Sequence, residues 1–123
     1  MTEWGYNSEY QNNATFKKFR RKHPEELLQC FENLERFRTH LNETEPEPDP
    51  NFVTGIVRQE PKDLIAADER GCDKKGRLAC RIYAYPRIKN RTIYILRIAD
   101  KKDQNTDIQN SLKEIEKIKR TEP

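Results

Sequence analysis

The stretch that decides the fold is RLACRIYAYPRIKNRTIYILRIADKKDQ, residues 77–104. Its beginning, RLACRIYAY, alternates as a strand does, so that successive side chains lie on opposite faces of a sheet. One face is apolar and carries Leu78, Cys80, Ile82 and Ala84. The other carries Arg77, Ala79, Arg81, Tyr83 and Tyr85. TIYILRIA, residues 92–99, is β-branched and aromatic and predicts a second strand, antiparallel to the first because the connection PRIKNR is short.

Two further elements flank this pair of strands. DLIAADE, residues 63–69, is a short apolar run between a proline and a glycine, which is typical of a largely buried strand. Asp107 is placed to cap a helix that follows DKKDQNT. Apolar residues recur there at helical spacing, at Ile108, Leu112, Ile115 and Ile118.

The first 42 residues predict a short strand and two helices. Trp4 and Tyr6 alternate in EWGYNSE and indicate the strand. A first helix is expected over about residues 9–22, and a second from Pro24, because proline suits the first helical turn. The second helix has the strongest periodic pattern in the chain, an apolar face at intervals of three and four residues. It comprises Leu27, Phe31, Leu34, Phe37 and Leu41.

The order β-α-α-β-β-β-α predicts an α+β fold. We expect a small antiparallel sheet of three to four strands, with two N-terminal helices packed on one face and a C-terminal helix. A chain of 123 residues forms a single domain, residues 1–123. Within it, the acidic, proline-rich segment 42–53 is expected to be a loop and residues 119–123 a tail.

The charge is strongly segregated along the chain. The net charge is +3, yet residues 70–102 contain eleven Lys or Arg against two acids, which gives that segment +9 and leaves −6 for the remainder. The bland interpretation is a solvated sheet face whose long side chains discourage edge-to-edge aggregation. The alternative is an open cationic surface with tyrosines, suited to phosphates and bases.

Several classes of protein are disfavoured. No apolar run approaches the roughly 18 residues that a membrane span needs, and no secretory signal is evident. The three cysteines, Cys30, Cys72 and Cys80, are far apart. They have neither the Cys-x-x-Cys spacing nor the histidine spacing of a zinc site, although His23 and His40 are available. We therefore expect a cytoplasmic protein with reduced thiols, no metal and no other cofactor.

The element order, together with GCDKKGRLACRIYAYPRIKNRTIYILRIADKKDQNTDI, resembles the RelE/ParE superfamily of toxins from bacterial type II toxin–antitoxin pairs, in its RelE/HigB-like branch. In that branch, a glycine- and lysine-containing turn precedes a strand with an arginine before an apolar-aromatic run, here CRIYAY. A further strand ends in a basic motif, here ADKKDQ. The acidic, proline-rich segment 42–51 and FVTGIVRQEP, residues 52–61, resemble an insertion relative to the compact members.

The resemblance implies an endoribonuclease that cuts messenger RNA, commonly on the ribosome, by attack of the ribose 2′-hydroxyl on the adjacent phosphate. It assigns Arg81 to the scissile phosphate, Lys102 to transition-state stabilisation, and Lys74 to phosphate binding or proton transfer. Tyr83 is a further catalytic candidate, for acid–base chemistry or for stacking on a base. The expected RNA-binding residues are Lys75, Arg77, Tyr85, Arg97 and Lys101. A cognate antitoxin is the expected protein partner.

One departure from the ribonuclease branch leaves alternatives open. Several members carry a tyrosine or histidine in or near the C-terminal helix, whereas NTDIQNSLKEIEKIK, residues 105–119, has neither. Tyr83, Tyr85 or Asp103 would have to replace that group. A non-catalytic module of the same fold, either a gyrase inhibitor or a binder of RNA or an acidic partner, therefore stands beside the nuclease. A structural domain with segregated charge is a third possibility.

Overall fold

The computed structural model describes residues 3–43, 57–70, 80–100 and 102–122. Within these residues there are five strands in one sheet and three α-helices. The strands are β1 (Gly5–Asn7), β2 (Arg58–Gln59), β3 (Ile65–Asp68), β4 (Arg81–Arg87) and β5 (Thr92–Ala99). The helices are α1 (Asn13–Lys22), α2 (Pro24–Glu43) and α3 (Gln104–Thr121), and a short 3-10 helix, Ile88–Asn90, follows β4.

The strand order across the sheet is β1-β5-β4-β3-β2. β4 lies at the centre and pairs antiparallel with β3 and β5, as predicted, while β1 pairs parallel with β5. The α+β class is confirmed, but the prediction of a three- to four-stranded antiparallel sheet is wrong in strand number and in pairing. β2 was not predicted because it has only two residues. The direction of β1 relative to β5 depends on where α1 and α2 return the chain to the sheet, which the local pattern does not specify.

The first face of the sheet is covered by α1 and α2. The periodic face of α2 packs inward as predicted: Leu27, Leu34, Phe37 and Leu41 are buried and Phe31 is partly buried. These side chains meet the apolar set of β4, namely Cys80, Ile82 and Ala84, together with Phe16 and Phe19 of α1. Each buried large apolar side chain contributes about 1.5–3 kcal/mol, so this layer is the main source of stability.

Helix α3 covers the second face of the sheet. Beneath it lie Tyr83 and Tyr85 of β4 and Tyr94 and Leu96 of β5, all buried. The expectation of a solvated or open sheet face is therefore wrong, because the side of β4 that carries Arg81 is not open to solvent. The aromatic rings make this face too apolar to be left uncovered, and the Ile108, Ile115 and Ile118 stripe of α3 supplies the complementary surface.

A β-bulge in β5 changes which side chains reach α3. Tyr83 pairs with Arg97, whereas the next residue, Ala84, pairs with Ile95, so Leu96 is the extra residue. Directly opposed residues in an antiparallel pair share a face, so Arg97 joins Tyr83 on the α3 side. Simple alternation along TIYILRIA would have placed Leu96 and Arg97 on opposite faces.

The helix ends differ from expectation in detail. α3 begins at Gln104, and Asp107 lies inside its first turn, where its backbone N–H donates to the carbonyl of Asp103 at 2.9 Å. At the other end α3 continues to Thr121, and α2 continues to Glu43. None of the described helices is both long and apolar enough to cross a membrane.

Candidate functional site

Three of the predicted site residues come together on the α3 side of the sheet. Arg81 and Tyr83 are alternate residues of β4, and the Arg81 Nη1 donates to the Tyr83 hydroxyl at 3.4 Å. Arg97 of β5 is the register partner of Tyr83. Arg81 is therefore two residues from Tyr83 along β4, and Arg97 lies opposite Tyr83 on β5, which makes the two arginines diagonal neighbours on this face.

Both arginines retain a buried donor without an acceptor. Arg81 is 3% exposed, and its Nε has no hydrogen-bond partner, as is also true of the Nε of Arg97. A buried N–H that lacks an acceptor costs about 1–3 kcal/mol, and more when the group is charged. An anionic oxygen at this position would recover that free energy, because guanidinium groups bind phosphate through paired N–H donors.

An ion pair joins this cluster to α3. Arg97 Nη1 lies 3.5 Å from Asp107 Oδ1, with the two side chains 22% and 14% exposed. Burial raises the pKa of the Asp107 carboxyl, and the positive charge of Arg97 opposes that increase. Burial also raises the pKa of the Tyr83 phenol, so its hydroxyl stays protonated at neutral pH.

Arg97 and Asp107 line a cleft of about 500 Å³ between α1, the end of β5 and the first turn of α3, whereas Arg81 and Tyr83 are buried and do not line it. Its lining is polar and includes three cations and three carboxylates: Lys18, Lys22, Arg97, Asp100, Asp103 and Asp107. His23, which connects α1 to α2, also lines it. Within the described ranges, no group of three or more His, Cys, Asp or Glu side chains is arranged to hold a metal ion.

Asn12 holds the floor of the cleft in place. Its side-chain Nδ2 donates to the carbonyl of Ile98 at 3.1 Å, and the Ile98 backbone N–H donates to its Oδ1 at 3.0 Å. The amide thus pairs with β5 as a neighbouring strand would, just beyond β1. Since Ile98 follows Arg97, these two hydrogen bonds set the position of Arg97 relative to α1.

Two predicted site residues lie elsewhere. Tyr85 is near the far end of β4, where its ring stacks on Tyr94 with centroids 5.9 Å apart, and burial raises the pKa of its phenol. Lys102 is exposed between β5 and α3, and its backbone N–H donates to Asp100 Oδ1 at 2.9 Å. It is not among the residues that line the cleft.

The remaining predicted residues, Lys74, Lys75, Arg77 and Lys101, lie outside the described residues, as do residues 44–53 of the acidic segment. Sequence reasoning missed the contribution of the N-terminal half. Lys18, Lys22 and His23 come from FKKFRRKH, a basic run whose cationic character was visible in the sequence. Its position beside Arg97 depends on how α1 packs on β5, which local patterns do not encode.

No family model matches the chain, and comparison with curated proteins and with solved structures finds no significant match.

Proposed function

We propose that this protein is an endoribonuclease of the toxin type, which cleaves RNA by attack of a ribose 2′-hydroxyl on the adjacent phosphate. The observation that carries the proposal is the placement of Arg81 and Arg97 next to Tyr83 on one sheet face, with Arg97 also lining a polar cleft. Two neighbouring guanidinium groups with unsatisfied buried donors are suited to a phosphate whose negative charge grows during reaction.

In this reaction the O2′–P bond forms and the P–O5′ bond breaks, which leaves a 2′,3′-cyclic phosphate and a 5′-hydroxyl. Arg97 is the more accessible of the two arginines and contacts the non-bridging oxygens first, with Asp107 holding its guanidinium. Arg81 then stabilises the charge of the pentavalent transition state from the side of the sheet. Tyr83 keeps Arg81 oriented and, being protonated, is available as a hydrogen-bond donor.

The cations of α1 extend the binding surface beyond the reacting phosphate. Lys18 and Lys22 are exposed and line the same cleft as Arg97. Binding of single-stranded RNA releases counterions, so log K falls with log salt with a slope of about −0.7 for each phosphate contact. Contacts from Lys18, Lys22 and Arg97 therefore predict a slope of about −2. By the resemblance noted above, the RNA is messenger RNA on the ribosome and the protein partner is an antitoxin.

A non-catalytic binding role for the same cleft is the second candidate. The observation that favours it is the burial of Arg81, which is 3% exposed beneath α3 and hydrogen-bonded to Tyr83. In this role Arg97, Lys18 and Lys22 hold RNA or an acidic partner, and Arg81 supports the sheet. Both candidates share the salt dependence of binding, and only cleavage separates them.

The test is cleavage of an end-labelled single-stranded RNA oligonucleotide and of messenger RNA on translating ribosomes. We expect products with 2′,3′-cyclic phosphate ends, no product from an otherwise identical oligonucleotide with 2′-deoxyribose, and no effect of a chelator. Arg97→Gln, and Arg81→Lys, which keeps the charge but loses the paired donors, should each reduce the rate about 100-fold or more. Arg58→Gln, which removes an exposed charge on β2, is the matched control.

The outcomes separate the candidates. Salt-dependent RNA binding without cleavage on either substrate identifies the binding module. Cleavage that stops with a chelator contradicts the mechanism. Neither cleavage nor salt-dependent binding overturns both candidates.

A further inference from the structure

His23 lines the cleft at the junction between α1 and α2, where its backbone is hydrogen-bonded to both helices. It is the single residue between α1 and α2, its backbone N–H donates to the Phe19 carbonyl at 2.7 Å, and its own carbonyl accepts from the Leu27 N–H at 2.9 Å. The ring packs near Phe19, with centroids 5.8 Å apart. These hydrogen bonds fix the backbone of His23, and the ring contact with Phe19 accompanies the placement of the imidazole in the lining of the cleft.

A buried carboxylate faces one nitrogen of the imidazole. His23 Nδ1 lies 3.6 Å from Glu26 Oε2, and the Glu26 side chain is 7% exposed, whereas that of His23 is 41% exposed. In the neutral imidazole, a carboxylate beside Nδ1 favours the tautomer with the proton on that nitrogen, so that Nε2 carries the free lone pair. A partly exposed imidazole with a buried carboxylate behind it is the arrangement that general bases use.

Charged groups of both signs surround His23: Glu26 of α2 lies beside its ring, and the others line the same cleft. These are Lys18 and Lys22 on α1, Arg97 and Asp100 at the end of β5, Asp103 just before α3 and Asp107 in its first turn. Arg97 connects this set to the proposed phosphate site. The acid–base group that the C-terminal helix lacks is therefore supplied by the opposite side of the cleft, from the N-terminal half of the chain.

We propose that His23 is the general base of the cleavage reaction, with Glu26 as its positioning residue; this inference rests on the proposed endoribonuclease function. His23 Nε2 takes the proton from the ribose 2′-hydroxyl as O2′ bonds to phosphorus. The P–O5′ bond breaks with its electron pair on O5′, which takes a proton from water. The imidazolium then loses its proton to solvent, so that each turnover returns the free base and the atoms balance.

The experiment measures kcat/KM between pH 5 and 8 on the cleaved RNA, using the full chain. His23→Gln and His23→Ala are expected to lower the rate about 10²- to 10⁴-fold, the usual contribution of a general base. The wild-type rate should rise with pH over this range, and that rise should be absent from the residual activity of His23→Gln. Added imidazole should restore His23→Ala at least tenfold, and Glu26→Gln should show a smaller loss with a shifted profile.

The matched control is His40→Gln, which replaces the other histidine of the chain, in the last turn of α2 and outside the cleft. Circular dichroism and thermal melting of each variant report whether it folds. If wild-type protein cleaves no RNA, the proposed function and the role of His23 are both overturned. If cleavage requires Arg97 but His23→Ala keeps the wild-type rate and pH profile, the role of His23 alone is overturned. A third result also overturns the role of His23 as a general base. In it, His23→Ala loses activity that imidazole does not restore, and the residual activity of His23→Gln keeps the wild-type pH profile. That result would show that His23 is a structural residue.

Discussion

Arg97 of β5 and Asp107 of α3 form an ion pair, with 3.5 Å between Nη1 and Oδ1, at the point where α3 meets the sheet. The β-bulge at Leu96 makes this contact possible, because it turns Arg97 towards α3. The same pair borders the cleft and neutralises part of its positive charge. It therefore links the docking of the C-terminal helix to the availability of a cation in the proposed site.

Asp107→Asn is expected to strengthen RNA binding. The substitution removes a negative charge beside Arg97 and should lower Kd at low salt by up to about fivefold, since such a pair is worth about 1 kcal/mol or less. Fluorescence anisotropy with a labelled RNA oligonucleotide measures the effect. Glu32→Gln, on the exposed side of α2, controls for the change in net charge. An equal gain in both variants would show that only net charge matters.

Asp107→Asn is also expected to change how the stability of the fold depends on pH. Burial raises the Asp107 pKa in the folded protein, so the folded state takes up a proton more readily than the unfolded chain does. This carboxyl therefore stabilises the fold progressively as pH falls through its raised pKa and not at neutral pH. In urea unfolding, wild type should gain stability relative to Asp107→Asn as pH falls from 7 to 4, and a difference that does not change with pH would contradict this.

Asn12→Ala is expected to destabilise the protein and loosen the floor of the cleft. The alanine loses both hydrogen bonds to Ile98 and leaves two strand groups without a protein partner, at a cost of about 1–3 kcal/mol. Asn12→Asp keeps the acceptor for the Ile98 N–H and should lose less. Urea denaturation measures both, with the exposed Thr39→Ala on α2 as the control. A loss no larger than that of the control would show that water replaces the amide at no cost.

Glu122 is expected to hold the end of α3 in a pH-dependent way. Its two carboxylate oxygens accept hydrogen bonds from the hydroxyls of Tyr10, at 2.6 Å, and Tyr94, at 2.9 Å. These bonds, that from Tyr10 first, lower the pKa of Glu122, and the same contact raises the pKa of Tyr10 to about 12. Because the folded-state pKa is depressed, the stabilisation is complete above the ordinary carboxyl range and is lost as pH falls through the lowered value.

Unfolding of wild type and Glu122→Gln as a function of pH tests this role. Wild type should be the more stable at pH 6, and the difference should shrink towards pH 3. Glu116→Gln, exposed on the same helix, should show no such convergence. Amide hydrogen exchange in the last turns of α3 should speed up in Glu122→Gln at pH 6. Unchanged exchange would show that Glu122 does not hold the end of α3.

Cys30→Ala is expected to lower the free energy of unfolding by about 1–2 kcal/mol, because it leaves a cavity where α2 crosses β4. The Cys30 and Cys80 sulfurs are fully buried and lie 3.4 Å apart. The hydrogen bond to Cys80, and then burial, raise the pKa of Cys30, so the thiol stays protonated at neutral pH. Urea denaturation measures the loss. Stability equal to that of wild type would mean that neighbouring side chains fill the space.

Much of the fold could be predicted because the signals are local. The alternation in RLACRIYAY predicted which described side chains of β4 share a face, and the periodic face of α2 predicted its buried residues. Arg81, Tyr83 and Arg97 were singled out for their residue types and the resemblance of their motifs. The covering of the second sheet face was missed, because Tyr83 and Tyr85 fit a solvated face as well as a buried one until a partner helix is known.

Periodicity, turn residues and charge runs specify the strands and helices of this chain and the chemistry that each carries, since these depend on neighbours along the sequence. Long-range packing alone turns Arg97 towards Tyr83 through the bulge, buries Arg81 under α3 and sets His23 at the same cleft. The physical reason is that such contacts depend on how whole helices and strands fill space against one another. No spacing between residues far apart in the chain records that arrangement.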